Sequence, residues 1–201
     1  MSQNTNRTFP SFTLQLPEWL TEYLTKIPTT FPTVDQRMTL MIELARLNVQ
    51  FGTGGPFAAG VFTVDTNCLV APGVNLVTSS HASVAHAEIV AITLAQQTQH
   101  HHDLGATHLP RHELVTSTEP CAMCLGAIPW SGIQRVSCGA RDEDARAIGF
   151  DEGTKPPDWV QMLEARGISV NRDIHRNTAT QVLQDYRNNG GIIYNGGQNT
   201  Q

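Results

Sequence analysis

From Thr33 onward, apolar residues recur at three- and four-residue steps, at Met38, Met41, Ile42, Ala45 and Val49, until Gly52 and the Gly54-Gly55-Pro56 break. That period marks one face of a helix. Two runs of strand-like composition follow, 58–64 and 68–77, joined by the polar link Asp65-Thr66-Asn67, so an antiparallel hairpin is expected. Helical spacing returns near Ala85 with Ile89, Ile92 and Leu94, and stops near Gln97, ahead of the polar stretch Gln99-His100-His101-His102-Asp103. Residues 113–118 read as a third strand. Pro120 suits the first turn of a helix running through Cys124 and Ile128 toward Trp130, and 133–138 reads as a fourth strand.

After a loop-like segment at 150–157, a helix is expected over 158–166, with Asp158 placed to cap it and Trp159, Met162 and Leu163 on its apolar face. A fifth strand at 168–170, a helix at 179–188 and a tail at 190–201, with one apolar cluster at Ile192-Ile193-Tyr194, complete the pattern. Strands alternating with helices favour a three-layer α/β/α sandwich around a central mixed five-stranded sheet. The first 33 residues differ: Pro10, Pro17, Pro28 and Pro32 surround one short helix candidate starting at Pro17. They read as an N-terminal arm or cap, with 34–201 as the domain.

Composition narrows the class. A chain of 201 residues fits one domain, and 40% hydrophobic residues support a real core. Only 15% are charged, below the usual quarter or so, which hints at a subunit interface and a homodimer. A net charge of −5 argues against a broad phosphate-binding surface and for a small, weakly charged substrate, not nucleic acid. No apolar run approaches the roughly 18 residues of a membrane span and no signal-peptide pattern opens the chain, so a cytoplasmic protein without membrane contact is expected. Cys121 and Cys124 stand two residues apart, whereas Cys68 and Cys138 are single, a pattern of one metal or redox site rather than a disulfide framework.

The chemistry concentrates in His86-Ala87-Glu88 at one helix start and Pro120-Cys121-Ala122-Met123-Cys124 at the next. Two thiolates and an imidazole suit Zn²⁺, one per subunit, and three protein ligands leave the fourth position to water or hydroxide, as in catalytic zinc sites. Helix N-termini favour thiolates electrostatically. Glu88, two residues from a ligand, can face that water without ligating and serve as acid and base. Each fragment alone has duller readings: a redox pair, or half of a structural zinc site completed by His81 or Cys138. A redox reading leaves His86 and Glu88 without use. The combination of H-x-E with P-C-x-x-C is the zinc deaminase signature.

With these residues the chain resembles the cytidine deaminase-like superfamily, and within it the guanine deaminases of the bacterial, small-subunit kind, from about Gly54 to Tyr194. The similar landmarks are Gly54-Gly55-Pro56-Phe57, Asn75, Ala85-His86-Ala87-Glu88-Ile89, Glu119-Pro120-Cys121-Ala122-Met123-Cys124, Trp130-Ser131-Gly132 and Ile148-Gly149-Phe150-Asp151-Glu152-Gly153. The resemblance implies attack at C2 of guanine, a proton from Glu88 to the adjacent ring nitrogen, and help with ammonia departure from a second carboxylate, Glu152 or else Asp151. It further implies that Phe57 and His86 sandwich the ring, that Asn75 and the backbone of Ala87 hydrogen-bond the purine, that Trp130 lines the pocket, and that Tyr194 of the tail lies near it. Duller alternatives are core packing for Phe57 and Trp130, a turn for Asn75, and solvated loop charges for Asp151 and Glu152.

Rival substrates are guanosine and aminotriazines such as ammeline, distinguished by pocket size. A tRNA adenosine deaminase shares the zinc motif, but the acidic balance and the lack of a basic C-terminal helix speak against an RNA substrate. A non-catalytic zinc-binding or redox module is the alternative of a different class, and it gives Glu88 no work. His100-His101-His102 has no role in any of these readings, and a solvated loop explains it best.

Overall fold

The computed structural model describes residues 11 and 13–197. Five strands, β1 (Ala58–Thr63), β2 (Leu69–Val74), β3 (His112–Thr118), β4 (Arg135–Ala140) and β5 (Ser169–Asn171), form one sheet in the order β2-β1-β3-β4-β5. β1 runs antiparallel to β2 and β3, while β3, β4 and β5 are parallel, so the sheet is mixed as expected. Side chains alternate across it. Phe62 and Val115 join one buried cluster, and Ala59, Val61, Leu114, Val136 and Cys138 join the other. Both faces are therefore covered, and β1 and β3 are buried along their whole length.

One layer contains α2 (Val34–Gln50) and α8 (Arg176–Asn188), and the other contains α4 (Ala87–Thr98), α5 (Ala122–Ser131) and α7 (Trp159–Glu164). The three-layer architecture is the one the alternation of elements predicts. α2 starts where Thr33 and Gln36 close a reciprocal capping box, and it buries Met38, Met41, Ile42 and Ala45 as its period requires. α4 lies unusually close to β2. A Cβ at Gly73 would collide with the Ala87 carbonyl and the Ala91 backbone, so only glycine permits this approach.

Two details depart from the expected pattern. Asp158 precedes α7 but makes no side-chain cap bond, because its backbone (φ −98°, ψ 24°) is not in the extended cap geometry. Two short helices, α3 (Val77–Ser80) and α6 (Asp142–Ala147), went unpredicted, since neither is long enough to show an apolar period. The N-terminal segment packs as part of the main core: in α1 (Glu18–Leu24) Leu20 is fully buried, and Leu16, Trp19, Tyr23 and Phe31 rest on the same cluster. The portion of the arm at 1–10 lies outside the described residues.

The directions of the strands place the functional elements together. β2 and β3 both run antiparallel to β1, so the ends of β2, β3 and β4, followed by Asn75, Glu119 and Arg141, reach one edge beside the start of β1 at Phe57. Ligands of open α/β sheets bind at such carboxyl edges.

At the opposite end of the sheet, where β3 begins, Arg37 of α2 meets Glu113 at 2.9 Å, both almost fully buried. Arg37 also donates to the Phe31 carbonyl at 2.9 Å and to Asn67 Oδ1 at 3.0 Å, tying α2 to the β1–β2 link. Removing one member of a buried pair strands the other charge. Arg37→Met is expected to lower the unfolding free energy by about 3–5 kcal/mol in urea titrations. Lys26→Met, which breaks the exposed Lys26–Glu22 pair, should cost no more than about 1 kcal/mol. Equal losses would contradict the assignment of the internal pair.

Candidate metal and catalytic centre

His86 and Cys121 occupy equivalent places, as the extended N-cap residues of α4 and α5, and neither side chain caps its helix. A side chain at that position leaves the helix end sideways, and here it is released for another partner. Cys124 lies one turn further into α5 and points to the same point. Cys121 Sγ stands 3.5 Å and Cys124 Sγ 3.7 Å from His86 Nδ1. Zinc bonds of about 2.3 Å to sulfur and about 2.05 Å to nitrogen, arranged tetrahedrally, put such donors about 3.6 Å apart. The three residues thus fit zinc without movement. Among the described residues they are the one His/Cys/Asp/Glu group so placed, and neither His81 nor Cys138 joins them. A three-ligand set is that of a catalytic rather than a closed structural site.

The electrostatics agree with a cation there. The Cys121 thiol is drawn down to about 4 by the neighbouring Cys124 thiol, and then by the His86 ring, against the effect of burial. Cys124 is pushed up, first because its proton is the one shared with Cys121 and then by burial. Metal binding at such a pair is accompanied by loss of the thiol protons, since thiolate is the ligating form.

A cavity of about 180 Å³ opens beside the three ligands, lined by Phe57, Asn75, His86, Glu88, Asp151, Glu152 and Tyr194 among others. Glu88, in the first turn of α4, is 6% exposed, and Glu152, on the loop after α6, is 7% exposed. Burial raises Glu88 to about 7 and Glu152 to about 8, with the Cys121 charge adding to both. Two buried carboxyls able to hold or release protons near neutrality face one small space.

Asn75 follows β2, and its Oδ1 accepts from Val77 N at 3.2 Å and Gly55 N at 3.4 Å. It therefore does close a turn, and the turn fixes its amide at the cavity wall. Phe57 meets the Phe150 ring edge-on at 5.0 Å, and Phe150 meets Tyr194 at 5.1 Å. The Tyr194 hydroxyl is buried without a hydrogen-bond partner among the described residues. Gly55 makes room for it, since a Cβ there would strike that hydroxyl. Asn195 secures the tail, with its Oδ1 accepting from Asp151 N and its Nδ2 donating to Gly149 O, both at 2.9 Å.

Most of the expected residues thus converge. Ala87 contributes no side chain to the cavity, being buried at the head of α4, where its N–H is among those the helix leaves unbonded. Trp130 is the exception. It stands 88% exposed near the far end of α5, beside Pro129 and Met162, so within this chain it does not line the cavity. A decamer helix whose start holds the metal ligands carries its ninth residue well away from them. Phe150, Ser83, Thr118 and Asn195 line the cavity without having been singled out. Only adjacence to Glu152 and Tyr194 marked Phe150 and Asn195 in the sequence. His101 and His102 stack at 4.9 Å on the surface, apart from this centre.

Residues 33–140 match the cytidine and deoxycytidylate deaminase zinc-binding region. The chain is 42% identical over 111 residues to guanine deaminase of Bacillus subtilis, a match covering 55% of this chain and 67% of that one. It superimposes on a guanine deaminase from Nitrosomonas europaea with a TM-score of 0.85 at 43% identity, covering 91% of this chain and all of the other. A structure of NE0047 in complex with 2,6-diaminopurine aligns at a TM-score of 0.86 and 45% identity, over 92% of this chain and 97% of that one.

Removing metal should separate the two halves of the site. Dialysis against a chelator is expected to lower the thermal midpoint, and stoichiometric zinc to restore it, because a ligand that binds only the folded state stabilises it. Cys124→Ser should retain much less than one zinc per chain by elemental analysis. Full occupancy in that variant would remove Cys124 from the ligand set.

Proposed function

The chain belongs to the family defined by the cytidine and deoxycytidylate deaminase zinc-binding region, and from that premise we propose that it hydrolyses guanine to xanthine and ammonia. The observation that carries this reading is the pairing of Glu88 and Glu152, two buried carboxyls on the walls of one small cavity beside His86, Cys121 and Cys124. The guanine deaminases similar to this chain over most of its length support the choice of base.

Zinc, when held by His86, Cys121 and Cys124, would supply a water molecule ionised near neutral pH. The protein's residues do the rest. Glu88 is the group that holds a proton and delivers it to the ring nitrogen next to C2. Glu152, or failing that Asp151, supplies the proton with which the exocyclic amine leaves as ammonia. Phe57 and His86 hold the ring between them, Asn75 and the Ala87 N–H bond its polar edge, and Tyr194 covers it from the tail. Water is kept from the cavity by the same tail, since Tyr194, Asn195 and Gly196 all border it. That cover also favours a free base over guanosine, whose ribose would need the tail displaced. Replacing Glu88 by Gln should leave zinc bound and reduce guanine turnover by about 10²–10⁴-fold, the usual worth of a positioned acid and base. Glu152→Gln should fall in the same range, with Asp151→Asn much closer to the parent. Normal turnover in both Glu152→Gln and Asp151→Asn would refute a second carboxylate.

The working form we propose is a cytoplasmic homodimer acting in purine catabolism or salvage, with the domain at 34–201 and the N-terminal segment serving as a cap. Trp130, Met162 and Met123 support the dimer as large apolar residues exposed along α5 and α7. Trp130 and Met162 border a common cleft, and a second copy seated there would cover apolar surface that otherwise faces water. Four free cysteines, two of them in the metal group, fit a reducing compartment. Sedimentation at micromolar concentration is expected to show a dimer, and Trp130→Glu a monomer. A wild-type monomer would dismiss the interface.

A further inference from the structure

Glu152 stands on a segment without helix or strand, yet its carboxyl has to meet a metal site built on another element. The loop is held at two carbonyls: Ala122 N donates to that of Glu152 at 2.9 Å, and the Arg146 side chain donates through Nη2 to that of Gly153 at 2.6 Å. Two residues further on, a buried side chain of the loop itself adds a third anchor. Lys155 Nζ lies 3.2 Å from the Pro120 carbonyl, 3.1 Å from Asp142 Oδ1 and 3.5 Å from Glu119 Oε2, with the side chain 7% exposed. An ammonium has three protons and no acceptor, so three converging oxygens use it fully. The indole of Trp159 lies against it, 4.9 Å from ring centre to nitrogen.

Its partners are in turn held. Glu119 is almost completely buried and also accepts from Arg172 Nε at 2.6 Å and from Asp142 N at 3.1 Å. Glu119 and Pro120 immediately precede the ligand Cys121, and Lys155 follows Glu152 by three residues. One buried ammonium thus connects the strand end that delivers the metal ligands to the loop that delivers the second carboxylate. Lys155 does not border the cavity itself.

We propose that Lys155 is a positioning residue, which through Glu119, Pro120 and Asp142 sets the Glu152 carboxyl against the metal ligands. The inference rests on the catalytic reading of Glu152. A displacement of reacting groups by about 1 Å can cost about 100-fold in rate. Lys155→Met is therefore expected to lower kcat for guanine by about that factor, with one zinc per chain retained and KM changed less than about threefold, because ring contacts and ligands stay in place.

A double-mutant cycle with Glu152→Gln distinguishes positioning from general damage. If Lys155 acts through Glu152, the double variant has the residual turnover of Glu152→Gln alone. Lys155→Gln, which keeps a donor for the Pro120 carbonyl, should show a smaller kcat loss with the same disappearance in the Glu152→Gln background, and it serves if the methionine variant fails to fold. Parental kcat in either folded lysine variant, or a loss that multiplies with Glu152→Gln, overturns the proposal. Full turnover in Glu152→Gln itself overturns the reading of Glu152, and the role of Lys155 falls with it.

Discussion

Two sulfurs held 3.5 Å and 3.7 Å from one ring nitrogen form the constraint on which the other features depend. The donors come from chain positions 35 residues apart, at the heads of two helices in the same layer. For those heads to meet, β2, β1 and β3 must pair in their observed register, and α4 must settle on β2 closely enough that position 73 tolerates no side chain. Glu88 and Glu152, the proposed proton carriers, are then placed relative to that point. Glu88 is carried by α4 with His86, whereas Glu152 arrives on an irregular loop and depends on bonds to the α5 head.

The burial that makes the carboxyls useful is the burial that makes them costly. Glu88 and Glu152 sit in surroundings that favour the protonated form, which opposes folding wherever both must be charged. Such groups persist where the fold around them is over-determined, and here the ion pairs nearby are neither isolated nor at the surface. Lys155 meets Glu119 in the interior beside the cavity, with Arg172 joining from a partly exposed position, and Arg37 meets Glu113 in the interior at the opposite end of the sheet. Their charged groups hold separate segments in fixed relation, which an apolar core of interchangeable methyl groups does less specifically.

The layered fold was legible because period and alternation report burial directly. α2, β1, β2, α4 and β3 each came from a run long enough to show its pattern. The ligands and Glu88 were legible because metal chemistry restricts both residue type and spacing. α3 and α6 were too short for a pattern, and the failure of Asp158 to cap depended on a backbone angle that its identity does not determine. Trp130 shows the limit of proximity along the chain: it shares a helix with Cys121 and Cys124, but nine residues of helical rise separate it from the cavity. Lys155 and Asn195 escaped notice for a related reason, since their partners come from distant segments and no local pattern announces them.

The tail over the cavity is attached differently from everything beneath it. Its principal ties to the catalytic loop are the two side-chain bonds of Asn195 and the ring contact of Tyr194 with Phe150. Mutational drift in these few residues can therefore alter which molecules enter, and how long they stay, while leaving the sheet, the metal ligands and the proton carriers untouched. In a lineage, the range of accepted ring systems would diverge at the C-terminal cover well before the reaction itself changed.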